Sequence, residues 1–141
     1  MISAHIVEFL KKERVSALSI PLTDGTPHTA TMHFSMQEEP LALYFQTQRD
    51  SLKCKALLDA KERSAAVVVG FSEEEFVTLQ MHGMIHLVTD PQALETLCKI
   101  HYKKLPAAEQ YKSDGSAFLT FKPTWWRFTD FKTDPETIVE S

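Results

Sequence analysis

The residues best suited to chemistry lie at one junction between a predicted strand and a predicted helix, and they are Thr47, Arg49, Ser51 and Lys53. The strand ends at about Thr47, and the helix begins at about Ser51. The first turn of a helix presents free backbone N–H groups and the positive end of the helix dipole, which both favour bound anions. Hydroxyl groups and cations at this junction therefore indicate a phosphate site. The alternative is simple capping by Ser51, with Arg49 and Lys53 solvated.

Other kinds of chemical site find little support. The four glycines, Gly25, Gly70, Gly83 and Gly115, are all more than ten residues apart, which excludes a linear phosphate loop or dinucleotide-binding fingerprint. His82 and His86 lie on one predicted strand but too far apart to share a metal ion, so we expect no metal site. The adjacent carboxylates Glu38-Glu39 and Glu73 to Glu75 lie in predicted turns, where we interpret them as solvated charges rather than as a pair for acid–base work. The sequence has no GxSxG motif to suggest hydrolase chemistry, so the catalytic residues stay unknown.

Length, composition and charge indicate one globular domain. The chain has 141 residues, of which 43% are hydrophobic and 24% charged, as in ordinary globular proteins. With 15 basic and 19 acidic residues, the chain has no electrostatic reason to bind nucleic acid or an anionic membrane. It lacks an apolar run of about 20 residues, and Glu8 and Glu13 are atypical of a signal peptide. We therefore expect a cytoplasmic protein, in which Cys54 and Cys98 are reduced.

The predicted elements are mostly strands. Helices are predicted over residues 3–13, 51–60 and 90–104, capped by Ser3, by Asp50 or Ser51, and by Asp90. Strands are predicted over residues 15–22, 28–36, 41–47, 65–71, 76–88, 117–121 and 124–131. Gly83 interrupts the fifth strand, where it indicates a bulge or a close backbone approach.

This pattern predicts a mainly β, α+β fold: a six- to seven-stranded antiparallel barrel with flanking helices. Most of the strands follow one another through short hairpin turns, which favours antiparallel pairing over a parallel sheet. Residues 1–132 form the predicted domain, and residues 133–141 form a predicted polar C-terminal tail.

Several segments, taken in order, resemble the pyridoxamine 5′-phosphate oxidase family of FMN-binding split barrels. They are residues 27–33, 41–47, 51–53, 65–69 and 79–83, and residues 125–130 resemble the last strand of small, uncharacterised members. The resemblance covers about residues 3–131. It implies a split barrel and a homodimer that binds two FMN molecules between its subunits, together with a small-molecule substrate.

The resemblance also implies which residues contact the cofactor. Residues 30–35 match the strand beneath the isoalloxazine ring, and residues 52 and 53 match a basic pair at the phosphate. A tryptophan from the neighbouring subunit is expected at the ring, and we assign it to Trp126, with Trp125 in the core. The residues expected to contact FMN are Thr31, Met32, His33, Gln46, Thr47, Arg49, Ser51, Leu52, Lys53, Thr78 and Trp126.

The chain departs from the family pattern at several positions. Ala30 and Leu52 stand where the family enzyme has arginine, and Thr78 stands where it has glutamine. The Arg-x-His element that binds the enzyme's substrate has no match, because Phe128 and Thr129 follow Arg127. We therefore do not expect a true pyridoxamine-phosphate oxidase.

Two functional hypotheses follow. The first is an FMN-binding oxidoreductase that transfers hydride or electrons to a small substrate. The second is a flavin-binding or cofactor-free barrel with a stress or regulatory role and no turnover. Deazaflavin and haem remain alternative cofactors, and the sequence identifies neither the substrate nor the electron donor.

Overall fold

Eight antiparallel strands form one curled sheet in the computed structural model, which describes residues 2–141. The strands are β1 (Val15–Pro21), β2 (Pro27–His33), β3 (Ser35–Gln37), β4 (Ala42–Gln48), β5 (Arg63–Val69), β6 (Val77–Leu87), β7 (Ser116–Asp130) and β8 (Thr137–Glu140). The helices are α1 (Ala4–Lys12), α2 (Leu52–Leu58) and α3 (Pro91–Lys104), and a 3₁₀ helix spans Pro106–Tyr111. This is a mainly β fold with flanking helices, as the sequence predicts.

The order of the strands explains why the sheet curls. The order is β2-β1-β5-β6-β7-β4-β3, with β8 added beside β7. Strands β2 and β3 therefore lie at opposite edges of the sheet, yet only Phe34 separates them in the chain. The sheet must bend round until its two edges meet at Phe34, and the result is a split barrel.

The barrel interior holds the main hydrophobic core. Its fully buried side chains include Phe34, Phe45, Phe121 and Phe128, and truncating such a residue to alanine typically costs about 3–5 kcal/mol. Helix α1 buries Phe9 against this core. The predicted helix caps are confirmed, because the side chains of Ser3, Ser51 and Asp90 each accept a hydrogen bond from a backbone N–H in the first turn.

The bulge predicted at Gly83 is confirmed. The register between β6 and β7 shifts between His82 and Gly83. A Cβ atom at position 83 would overlap the backbone of Lys122 and Pro123, so two strands approach closely here because this residue has no side chain.

Gly83→Ala should lower the free energy of unfolding by about 2–3 kcal/mol, the usual cost of forcing extra atoms into a packed site. Gly115→Ala is the matched control, because a Cβ there would make only ordinary contacts. Urea denaturation of both variants measures the difference. Equal stabilities would show that β7 moves aside at Gly83 without cost.

Three sequence predictions need correction. The segments 117–121 and 124–131 are one continuous strand, β7, because Pro123 pairs opposite the bulge at Gly83 and the chain does not turn. The predicted strand 28–36 breaks at Phe34. The predicted polar tail contains β8, which pairs with the second half of β7, where β4 no longer covers that edge.

Candidate functional site

The two edges of the sheet separate next to Phe34 and leave a gap. Strand β3 pairs with β4 only over residues 42–44, and β2 pairs only with β1. Continuing the β3–β4 register would place His33 opposite Gln46 and Thr31 opposite Gln48. Some Cα atoms of β2 and β4 lie within 8 Å of each other, but the two strands do not pair. No other strand among residues 2–141 fills the gap between them. We call the gap between residues 31–33 and 46–48 the seam.

The seam offers backbone groups and a few side chains. Thr31 and His33 are exposed on the outer face of β2, whereas the side chain of Met32 packs against the core. Met32 can therefore contact a ligand only through its backbone. Unpaired strand edges carry free N–H and C=O groups, which suit the polar edge of a planar heterocycle.

On the β4 side, Gln46 has an unsatisfied polar atom. Its Nε2 donates to the carbonyl oxygen of Ala108 at 3.4 Å. Its Oε1 is buried without a hydrogen-bond partner among residues 2–141. A buried acceptor left unpaired costs about 1–3 kcal/mol, so a ligand that donates a hydrogen bond here would be stabilised.

The start of α2 lies beside the seam and holds the predicted phosphate residues together. Thr47 Oγ1 donates to Ser51 Oγ at 3.4 Å, and Ser51 Oγ accepts from the N–H of Cys54 at 3.2 Å. Arg49 is exposed and close enough to Cys54 to oppose the rise in thiol pKa that burial causes. The hydroxyls of Thr47 and Ser51 therefore stabilise the start of α2, and neither is bonded to Arg49 or Lys53.

Lys53 is the unusual residue of this group. It is only 8% exposed, and none of the ion pairs within the described part of the chain includes it. Burial lowers the pKa of its ammonium group, because removing a charge from water is unfavourable. A cation that is partly removed from water and has no carboxylate partner is destabilised, and a bound anion would offset that cost.

Two other predicted residues lie apart from this group. Leu52 is 52% exposed and faces away from the core. Thr78 donates to the carbonyl oxygen of Val69 and pairs with Thr129, whereas Thr47 pairs with Ala117. The two β7 partners are 12 residues apart, so Thr78 lies roughly 40 Å along the strand from Thr47. Within one chain, Thr78 and the phosphate residues cannot share a ligand.

The predicted faces of the two tryptophans are wrong. Trp126 pairs with Met81, which faces the barrel interior, and its ring packs against the main core. Trp125 pairs with His82 on the outer face, and their ring centroids are 4.7 Å apart. Alternation along a strand separates two neighbours but does not say which one points inward. Contact between Trp126 and a flavin stays a prediction.

A buried polar cluster, which the sequence did not predict, holds the crossing from β2 to β3. The Ser35 hydroxyl and His101 Nδ1 are 2.7 Å apart, and both residues are buried. Lys104 Nζ donates to the carbonyl oxygen of Leu10 and lies 3.9 Å from the centre of the Phe34 ring. Burial lowers the pKa of His101 to about 4 and that of Lys104 to about 8. The last turn of α3 thus fixes one end of the seam.

The strand order and the seam define a split-barrel protein, and comparison with known proteins gives its family. The sequence pattern of the family described as pyridoxamine 5′-phosphate oxidase matches residues 2–130. The chain therefore belongs to the pyridoxamine 5′-phosphate oxidase family. A comparison with curated proteins gave no match.

Solved structures share the fold at low sequence identity. A protein from Clostridium acetobutylicum related to general stress protein 26 is 12% identical, with a TM-score of 0.70 over 96% of this chain and 92% of that one. A pyridoxamine 5′-phosphate oxidase-related, FMN-binding protein from Nostoc punctiforme is 15% identical, with a TM-score of 0.68 over 97% and 89%. A haem-binding protein from Mycobacterium smegmatis is 13% identical, with a TM-score of 0.74 over 100% and 59%.

Between residues 2 and 141, no helix is long and apolar enough to cross a membrane. The same residues contain no group of three or more histidine, cysteine or acidic side chains placed to hold a metal ion.

Proposed function

We propose that the chain binds FMN in the seam and transfers hydride or electrons through it to a small-molecule substrate. The buried, unpaired Lys53 is the observation that carries this proposal. An FMN phosphate at the start of α2 would pair with Lys53, with Arg49 available from the preceding loop. The FMN-binding protein from Nostoc punctiforme, which shares the fold, supports the same cofactor.

The remaining residues of the seam fit the ring of FMN. The isoalloxazine has both donor and acceptor atoms along its polar edge, which suit the orphaned Gln46 Oε1 and the free backbone edges of β2 and β4. His33 and Thr31 would border the ring from the outer face of β2. When bound, FMN supplies the redox chemistry, and the protein positions it and limits access of water.

Identification of the cofactor tests this proposal directly. Freshly purified protein is denatured, and the released molecule is identified by mass spectrometry, with the visible spectrum recorded beforehand. We expect FMN and a yellow preparation. A colourless protein that takes up no FMN on titration would contradict the proposal.

A second candidate is a barrel without turnover, and Ala30 and Leu52 favour it. Both stand where the family enzyme has arginine, and Leu52 is exposed beside the phosphate residues. A relative described as related to a general stress protein has the same fold, and another relative is described as haem-binding. Haem or deazaflavin in the mass spectrum would replace FMN as the cofactor, and the absence of every cofactor would favour the non-enzymatic function.

We also propose that the protein is a homodimer. The outer face of β1, β2, β5 and β6 carries only uncharged side chains over a wide area, namely Ala17, Ser19, Thr29, Ala66, Val68, Gln80 and His82. An uncharged, partly apolar surface of this kind is typical of a two-fold interface. Trp125 adds a large ring at its border.

Light scattering should give a mass of twice 16.1 kDa at micromolar concentration. Ala66→Glu places a charge in the middle of the uncharged face and should give monomers. Gln92→Glu adds the same charge at an exposed position of α3 and should leave the dimer intact. A wild-type monomer would exclude a stable dimer, and with it a site shared between subunits.

A further inference from the structure

A groove on the outside of the barrel lies outside the proposed cofactor site. It runs between α3, the 3₁₀ helix and β7 and has a volume of about 530 Å³. Its lining is mostly apolar and includes Leu94, Cys98, Tyr102 and Phe118. Grooves of this size and composition are typical of sites for small organic molecules.

Tyr102 gives the groove a poorly satisfied polar group. Its hydroxyl is buried and has no nitrogen or oxygen partner among residues 2–141, and the Cys98 thiol beside it is only a weak acceptor. Burial raises the pKa of Tyr102 to about 12, so the hydroxyl keeps its proton at neutral pH and can donate it. Buried polar groups are almost always hydrogen-bonded, and an acceptor atom on a bound molecule would satisfy this one.

The charges at the rim of the groove balance one another. Glu95 and Lys99 form an ion pair at 3.5 Å, and Glu109 and Lys112 add one charge of each sign. Lys112 Nζ lies 5.9 Å from the centre of the Tyr102 ring. A rim without net charge gives no preference for an ionic ligand, whereas the apolar lining with one donor favours a neutral molecule.

The groove begins one strand away from the seam. Phe118, which lines the groove, pairs with Gln46 on β4, and the opposite edge of β4 at Gln46 borders the seam. Neighbouring strands are about 4.8 Å apart. Gln46 also donates a hydrogen bond to Ala108 in the 3₁₀ helix. The residue after Ala108, Glu109, lines the groove. A molecule that fills the groove would therefore end beside the seam.

From these observations we infer that the groove binds the substrate, a neutral planar aromatic molecule with a hydroxyl or carbonyl oxygen that accepts a hydrogen bond from Tyr102. The aromatic part lies against Phe118 and Leu94, and the molecule extends toward the seam. Its assignment as a substrate rests on the proposed function, whereas its binding to the groove does not.

Cys98 provides a reporter for this binding that does not depend on activity. Cys98 lines the groove and is partly exposed, whereas Cys54 is fully buried. In the folded chain, an aromatic disulfide reagent should therefore react with Cys98 first. The probe is 2-naphthol, which is uncharged at neutral pH, and it should slow the reaction in a saturable way, with or without added FMN.

Tyr102→Phe removes only the hydroxyl and should raise the 2-naphthol concentration for half-protection by roughly three- to tenfold, the scale of one neutral hydrogen bond. Its melting temperature should equal or exceed that of the wild type, because the lost hydroxyl is buried with only the weakly accepting Cys98 thiol beside it. Tyr111→Phe is the control, since Tyr111 is 67% exposed, and it should change neither quantity. A lower melting temperature with unchanged protection would mean that the Tyr102 hydroxyl has a structural role, and it would overturn the inference.

Protection and cofactor binding can fail separately. If the protein binds FMN but 2-naphthol never protects Cys98, the groove inference is wrong and the proposed function stands. If 2-naphthol protects Cys98 but no flavin is taken up, the groove binds aromatic molecules and the proposed redox function fails. If Cys98 is unreactive without the probe and becomes reactive in the Ala66→Glu monomer, a second copy covers the groove and the inference is overturned.

Discussion

Replacement of Lys53 by methionine should weaken FMN binding by about 1.5–3 kcal/mol, the usual loss for a hydrogen bond to a charged group. This corresponds to roughly a 10- to 150-fold rise in Kd. Methionine keeps the buried stem of the side chain and removes only the charge. Because Lys53 is 8% exposed as a whole residue and burial lowers its pKa, its ammonium group is partly desolvated and gains more from a phosphate than a fully exposed lysine would.

Flavin fluorescence titration measures the change, with Lys55→Met as the matched control. Lys55 lies on the same helix two residues further on and is exposed, so its removal should have little effect. The free Lys53→Met protein should be as stable as the wild type in urea, because the variant no longer buries an unpaired charge. If the two variants bound FMN equally well, the phosphate would lie away from the start of α2.

The stability result separates two explanations of the buried lysine. A lysine held only for structure would stabilise the free protein, and its removal would lower the urea midpoint. A lysine whose role is to bind an anion destabilises the free protein, and the bound anion offsets this destabilisation. Substitution would then leave the free protein unchanged or more stable while the affinity falls. Functional sites often show such a trade-off between stability and activity.

Ala30 and Leu52 stand where the resemblance implies arginine, so the proposed phosphate site has few cations. Residues 47–53 contain no cations other than Arg49 and Lys53. Arg49 is exposed, whereas Lys53 is only 8% exposed. One pre-positioned cation should bind a phosphate less tightly than three. The affinity of this chain for FMN should therefore depend on Lys53 more than that of a family member with the full set.

Local signals allowed the helix starts to be predicted from the sequence. Ser3, Ser51 and Asp90 each cap a helix at the expected position, because a cap depends only on residues within one turn. The bulge at Gly83 was also predictable, because glycine weakens a strand interior and often marks a bulge or a close backbone approach there. The family resemblance added the split-barrel topology, which local patterns alone did not provide.

Features that depend on pairing across the sheet could not be predicted in the same way. Strand β8 can pair with β7 only because β4 leaves part of the β7 edge unpaired. The sequence of residues 133–141 carries no information about that edge. The bond between Ser35 and His101 joins residues 66 positions apart. Helical spacing placed His101 on the same face as Leu97, but it could not identify the partner strand. The burial of Lys53 is likewise a tertiary property.

Trp126→Ala should lower the free energy of unfolding by about 2–4 kcal/mol, somewhat less than a fully buried tryptophan. The Trp126 ring packs against the core but stays partly exposed. Trp125→Ala should cost about 1 kcal/mol, the scale of one aromatic pair, because the ring packs at a tilt against His82 on the outer face. Urea denaturation of both variants at one protein concentration compares them directly.

The same pair of variants should respond in the opposite order when self-association is measured. Trp125 borders the uncharged outer face, so Trp125→Ala should shift the proposed dimer toward monomer in light scattering on dilution. Trp126→Ala should leave association unchanged wherever the chain stays folded, because its ring packs against the core, away from the uncharged outer face. If Trp125→Ala proved the more destabilising variant while the dimer survived, Trp125 would be a core residue, and the register that pairs Met81 with Trp126 would be wrong.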